Sequence, residues 1–241
     1  MSSRQSKASA DPGQDGQLLR LIANDQALTE LLAEVRRRAN GDGAHDVGHL
    51  LRVATWTLRL AEPAVSGRNA IAAALLHDLV NLPKSSSRRS EASALSATEA
   101  ARLLAVRDFD RPSIADIAEA IVDHSFSRGD QPRSPLGRAL QDADRLEALG
   151  AIGVLRTAAT GATMGTDFFD ADDPWAEHRE LDDGRHTVDH FFVKLLRLPA
   201  TMTTEAGRRE AARRAAFMGV FLRQLGDEIG APPPATRVGD D

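Results

Sequence analysis

Three short segments of the 241-residue chain carry the side chains of a metal cage. The first is His45-Asp46-Val47-Gly48-His49, the second His77-Asp78, and the third Asp142-Ala143-Asp144. Imidazole nitrogens and carboxylate oxygens are the donors that hard and borderline divalent ions take. An adjacent His-Asp closing an apolar run is informative, because a buried charge is costly unless it is paired or ligates a metal.

The neighbouring residues say which of these side chains face inward. Val53, Trp56 and Leu60 follow His49 at +4, +7 and +11, one face of a helix, so His49 points to the core. His45 lies one turn earlier and shares that face if the helix starts early enough, although Gly48 weakens the first turn. The run Ala70 to Leu76 is apolar on every side, which predicts a buried helix with His77 and Asp78 at its C-terminal end. Carbonyl dipoles there favour a cation. Leu140 and Ala148 flank Asp144 at −4 and +4, which turns Asp144 to the core and puts Asp142 and Glu147 on other faces. A lone inward histidine is usually a hydrogen-bonded core residue, so the weight lies in the set. Two imidazoles and two carboxylates with open positions suit Mn²⁺, Fe²⁺, Co²⁺, Ni²⁺ or Mg²⁺ better than a closed structural zinc.

The elements that must hold this set read as helices throughout. Apolar residues recur at three and four, no alternating strand stands out, and tyrosine is absent. The spacing predicts helices over 17–39, 46–62, 68–80, 95–107, 112–125, 135–147, 149–160, 186–198 and 204–229. Ser96 with Glu99 reads as a capping box and Thr204 as an N-cap. Residues 161–185, with three glycines, a proline and many acids, read as a long surface excursion. Residues 1–16 and 231–241 read as disordered tails around one all-α domain, 17–230.

Composition narrows the function. With 42% hydrophobic residues the chain can bury a core, and a net charge of −5 gives no case for wrapping nucleic acid. The absence of cysteine excludes disulfides, thiolate zinc sites and cysteine nucleophiles. No run has the roughly 18–20 apolar residues of a membrane helix, and residues 1–16 hold no signal-peptide stretch. A cytoplasmic protein without membrane or nucleic-acid partners is the expectation, and a homo-oligomer is compatible with it.

The ordered His … His-Asp … Asp set resembles the HD domain superfamily of metal-dependent phosphohydrolases. The match extends to His45-Asp46-x-x-His49-x-x-Arg52-Val53, Leu75-Leu76-His77-Asp78-Leu79-Val80-Asn81-Leu82-Pro83-Lys84, Ile121-Val122-Asp123-His124-Ser125-Phe126-Ser127, the stretch from Gln141 to Gly153, and His190 to Leu198. These look like a bacterial subgroup of stand-alone HD phosphohydrolases over roughly residues 20–228. The resemblance implies an HD-domain helical bundle, His49, His77, Asp78 and Asp144 as ligands, and attack of a metal-activated water on phosphorus. It also implies a small phosphorylated substrate, a nucleotide first of all, and Mn²⁺ as the first candidate ion. Many nucleotidase members carry a glutamate just after His-Asp. Leu79, Val80, Asn81 and Leu82 stand there instead, which leaves the general base open; Asp78 can both ligate the ion and contact water, and that second role is given to it here.

Cations beside the metal would hold phosphate: Arg52, Lys84, Arg145 and Lys194. His124, at a predicted helix end, would donate to a phosphate or to the leaving oxygen. His45 reads as a residue that supports the ligands from behind or meets the substrate, or else as a plain helix-start residue. His186 and His190 have ligand spacing but no third partner, which makes them structural or interfacial. Trp56 reads as buried, and Trp175 as free to stack on a base. Arg208, Arg209, Arg213 and Arg214 read as the solvent face of the last helix. Two other readings stand beside the nucleotide hydrolase. A cyclic-dinucleotide phosphodiesterase ranks lower because the Gly-Tyr-Pro signature is missing. A metal-stabilised, non-catalytic nucleotide-binding module is the second.

Overall fold

The computed structural model describes residues 14–39, 47–80, 82, 88–124 and 131–238. Eleven α-helices follow one another there: α1 (Gln14–Ala23), α2 (Gln26–Ala39), α3 (Val47–Leu60), α4 (Gly67–Leu76), α5 (Ala92–Leu104), α6 (Arg111–Asp123), α7 (Pro135–Leu146), α8 (Gly150–Met164), α9 (Asp189–Val193), α10 (Glu205–Ile229) and α11 (Ala235–Val238). Short 3₁₀ turns cover Arg89–Glu91 and Leu195–Thr201. No strand forms among the described residues, and extended pairing is limited to one isolated bridge between Asp167 and His186.

The apolar run Ala70–Leu76 makes α4 the axis of the fold. Every residue of that run is 2% exposed or less. A helix apolar on all sides needs neighbours on all sides, and α2, α3, α5, α6 and α7 supply them. Local chemistry sets the helix starts. The side chains of Ser66, Asp110 and Ser134 accept from the backbone N–H groups of Asn69, Ser113 and Gly137. Pro112 and Pro135 stand in first turns, where a missing N–H does no harm. Thr204 caps α10 as its sequence position predicts.

Several boundaries differ from the periodicity, each for a local reason. The stretch 17–39 is two helices, because Asp25 leaves the helical path and accepts from Leu28 N to start α2. Ser96 is not a cap; α5 begins four residues before it, at Ala92. Its Oγ instead accepts from Val80 N at 3.0 Å and lies 3.5 Å from Val80 O, which ties the segment after His77-Asp78 to α5. The excursion predicted from 161 begins only after Gly165, whose φ of +70° closes α8 in the left-handed region. The predicted 186–198 helix is a single short α-helix followed by the 3₁₀ turn.

The C-terminal segment corrects the disordered tail expected from 231. Trp175 Nε1 donates to Ala231 O, Arg237 Nη2 donates to Ala176 O, and α11 follows. Trp175 is 2% exposed, so it packs under this segment and is not free to stack on a base. Trp56 is half-buried, with the guanidinium groups of Arg59 and Arg214 over its ring. Arg214 also donates to Leu146 O, so it joins α10 to α7 and is no part of a purely solvated face.

Candidate metal centre

The ends of three helices meet at one point. His49 sits in the first turn of α3, His77 is the residue that closes α4, and Asp144 lies in the last turn of α7. His49 Nε2 is 3.5 Å from Asp144 Oδ1, and His77 Nε2 is 3.8 Å from the same oxygen. Asp78 Oδ2 is 3.5 Å from His77 Nε2. Two donors each about 2.1 Å from a common ion lie about 3.0 Å apart when adjacent and about 4.2 Å apart when opposite. All three separations fall in that window.

The histidine closing α6 adds a further donor. His124 Nε2 is 3.8 Å from Asp78 Oδ1, and its ring lies 5.0 Å from that of His77, edge-on. Two overlapping triads result, His49-His77-Asp144 and His77-Asp78-His124. His124 was expected to donate a proton. Its Nδ1–H is held by Ile121 O at 2.6 Å, so in the neutral ring Nε2 can only accept.

His77 carries the sharpest signal. Its Nδ1–H donates to Ala74 O at 2.8 Å, which fixes the tautomer and presents the Nε2 lone pair to the cluster. The ring is wholly buried, and Nε2 has no hydrogen-bond partner. A buried polar atom left unmatched between two carboxylates and two further imidazoles belongs to a donor set that suits a cation. Electrostatics agree. Burial opposes charge on His77, yet the Asp78 charge and the Asp144 carboxylate outweigh it and push the imidazole up to about 9. Burial likewise opposes charge on Asp144, but His77 and then His49 bring it down to about 2. Asp78 is held well below the ordinary carboxylate range against burial, by His77 and then His124. The cluster attracts positive charge, in the form of a proton or of a metal ion.

The support for His49 comes from Glu147, a residue that local spacing puts on another helix face. Glu147, 2% exposed, places Oε2 at 3.2 Å from His49 Nδ1. Burial would raise its pKa, but hydrogen bonds from His49 and Arg52 bring it below the usual range. Arg52, expected to hold phosphate, gives Nε and Nη2 to the same oxygen, at 2.9 and 2.8 Å. Glu147 follows Asp144 at +3, a spacing that makes the two neighbours on the helix surface, and that was the available signal. Asp142 is also buried, but its carboxylate accepts from the backbone and hydroxyls of Thr203 and Thr204 and so anchors the start of α10.

The cluster opens into a cleft of about 640 Å³. His49, Asp78, His124 and Asp144 form its floor, and α8 and α9 form the opposite wall. Arg145 and Lys194 line the cleft as expected, with Arg145 also donating to Thr201 O at 2.6 Å. Arg156, Thr157, Thr160 and Gly161 line it from α8, and their spacing marks a polar and small-residue stripe legible in the sequence. His190 lines the cleft with Nδ1 2.7 Å from Asp183 Oδ2. His186 is buried near Asp170, 3.6 Å away, outside this site. His45 and Lys84 lie outside the described residues.

Comparison with known proteins gives the same frame. The profile of the HD domain family matches residues 46–149. The chain is 32% identical over 190 residues to YpgQ, an uncharacterised protein of Bacillus subtilis (strain 168), an overlap of 77% of this chain and 84% of that one. The crystal structure of YpgQ in complex with ADP superposes with a TM-score of 0.65 at 26% identity, covering 89% of this chain and 96% of YpgQ. An HD-superfamily hydrolase from Bacillus thuringiensis gives a TM-score of 0.65 at 26% identity, covering 90% and 99% of the two chains. A predicted HD superfamily hydrolase from an uncultured Thermotogales bacterium gives 0.59 at 28% identity, covering 88% and 98%. The motif order, the helical bundle and these relatives agree: the chain belongs to the HD domain family.

Proposed function

We propose that the protein is a metal-dependent phosphohydrolase cleaving a phosphoester or phosphoanhydride of a small molecule, with nucleotides as the substrate class and Mn²⁺ as the first candidate ion. The observation that carries this reading is His77 Nε2, buried and unpartnered behind Asp78, Asp144, His49 and His124, which line the cleft. The HD-superfamily hydrolases among the structural relatives support the reaction class. The ADP complex of YpgQ supports the nucleotide.

In this reading His49, His77, Asp78 and Asp144 hold the ion. A divalent ion supplies polarisation of a phosphoryl oxygen and acidifies bound water. The chain supplies position and charge. Asp78, half-exposed on the cleft, stays ionised and accepts a hydrogen bond from the attacking water, orienting it. Arg145 and Lys194 face the phosphates from the walls. His124, whose Nε2 lies 3.8 Å from Asp78 Oδ1, stands on the cleft floor as the residue to meet the leaving oxygen. The Ile121 carbonyl keeps that ring in place.

The test is release of phosphate and pyrophosphate from nucleoside mono-, di- and triphosphates, with Mn²⁺ and then the other divalent ions. Turnover that requires the ion and disappears in Asp144→Ala is the expected result. A protein that holds its ion and turns over none of these compounds would be a non-catalytic nucleotide-binding module.

A further inference from the structure

Two groups compete for one nitrogen in the wall of the cleft. His49 Nδ1 is 3.2 Å from Glu147 Oε2 and also 3.2 Å from Arg156 Nη1. A carboxylate can only accept and a guanidinium can only donate. Nδ1 carries either a proton or a lone pair, so it serves one of them at a time. The atom of His49 that faces Asp144 is Nε2. An ion on Nε2 leaves the proton on Nδ1, where Glu147 is the acceptor. Glu147 is itself fixed by Arg52. Arg156 is the group left over.

Arg156 is exposed on the α8 wall of the cleft, and none of the described carboxylates pairs with it. A guanidinium beside a cation site, released toward a polar cleft, presents its fork to a tetrahedral oxyanion. We propose that Arg156 is a substrate-binding residue that grips a phosphate of the substrate beside the ion. The inference rests on the function proposed above and adds a residue and a preference for substrates with two or more phosphates. One phosphate meets the ion while the next reaches Arg156.

The probe is imidodiphosphate, which resists hydrolysis, titrated calorimetrically into Mn²⁺-loaded protein. Arg156→Ala should bind it roughly 10- to 100-fold more weakly, the loss expected for a charge-assisted hydrogen-bond pair, and Arg156→Lys should recover only part. Arg156→Ala should hold as much Mn²⁺ per chain as wild type, with an unchanged melting temperature. Glu147→Gln should instead lose roughly 10- to 100-fold in Mn²⁺ affinity. Wild-type affinity for imidodiphosphate in Arg156→Ala, loss of the ion in that variant, or no binding by the wild type would each overturn the assignment. Wild type that binds imidodiphosphate through Arg156 yet hydrolyses nothing overturns the phosphohydrolase reading alone. Normal turnover with a neutral Arg156→Ala overturns this inference alone.

Discussion

At the scale of the residue, one proton and one metal ion contend for His77 Nε2. Without metal the imidazole is pushed up to about 9, above its ordinary 6.5. A raised folded-state value stabilises the fold fully below about pH 6.5, and that stability is lost as pH rises through 9. Asp144, brought down from 3.8 to about 2, acts with the opposite sign. Its contribution is present above 3.8 and is lost as pH falls through 2. The metal-free protein should therefore melt at its highest temperature between these ranges, near pH 4 to 6.5. Metal must displace the proton, so apparent affinity for Mn²⁺ should climb by up to about tenfold per pH unit from 6.5 toward 9 and then level off. Calorimetry in buffers of different ionisation enthalpy would record the released proton. Affinity that stays flat over that range would mean that the proton is not on His77.

At the scale of the element, α7 shows how much the sequence discloses. Its periodicity chooses Asp144 over Asp142 for the metal, and Asp144 does meet His49 and His77. The same periodicity suggests that Asp142 points away from the core, yet it is fully buried. The reason is that α7 packs on two sides, against α3 and against α10, so one helix buries two faces. Partners so far along the chain, Thr203 and Thr204, leave no trace in local spacing. The two aspartates should separate in experiment. Asp142→Ala strands several buried donors, so it should lower stability by roughly 2–4 kcal/mol in urea unfolding while the folded fraction keeps its metal. Asp144→Ala should lose the metal with little effect on the metal-free fold. Gly207 belongs to the same joint, since a Cβ there would lie 2.4 Å from Asp142 Oδ2. Several helix starts were legible because they carry their own caps, as at Ser66, Asp110, Ser134 and Thr204. Boundaries set by distant contacts, such as Ser96 on Val80, were not.

At the scale of the whole molecule, the chain divides the work between two walls. The α3, α4, α6 and α7 side carries the candidate metal cluster, gathered around the end of the most buried helix. The α8 and α9 side faces it across the cleft with arginine, threonine and histidine. No described helix is long and apolar enough to cross a membrane. The sequence disclosed the first wall because metal ligands must come from a short menu of residue types. It disclosed less of the second, because a phosphate can be met by many side chains and only the fold says which face the cleft. Arg156 and the His190–Asp183 pair belong to that second class.

The central claim is that His49, His77, Asp78 and Asp144 share one divalent ion. It is tested most directly by metal content per chain after loading with Mn²⁺ and desalting, for wild type and for the four single alanine variants. The account predicts one ion per wild-type chain and a loss of retained metal in every variant while helical content stays native. Full retention of the ion in His77→Ala or Asp144→Ala would contradict it.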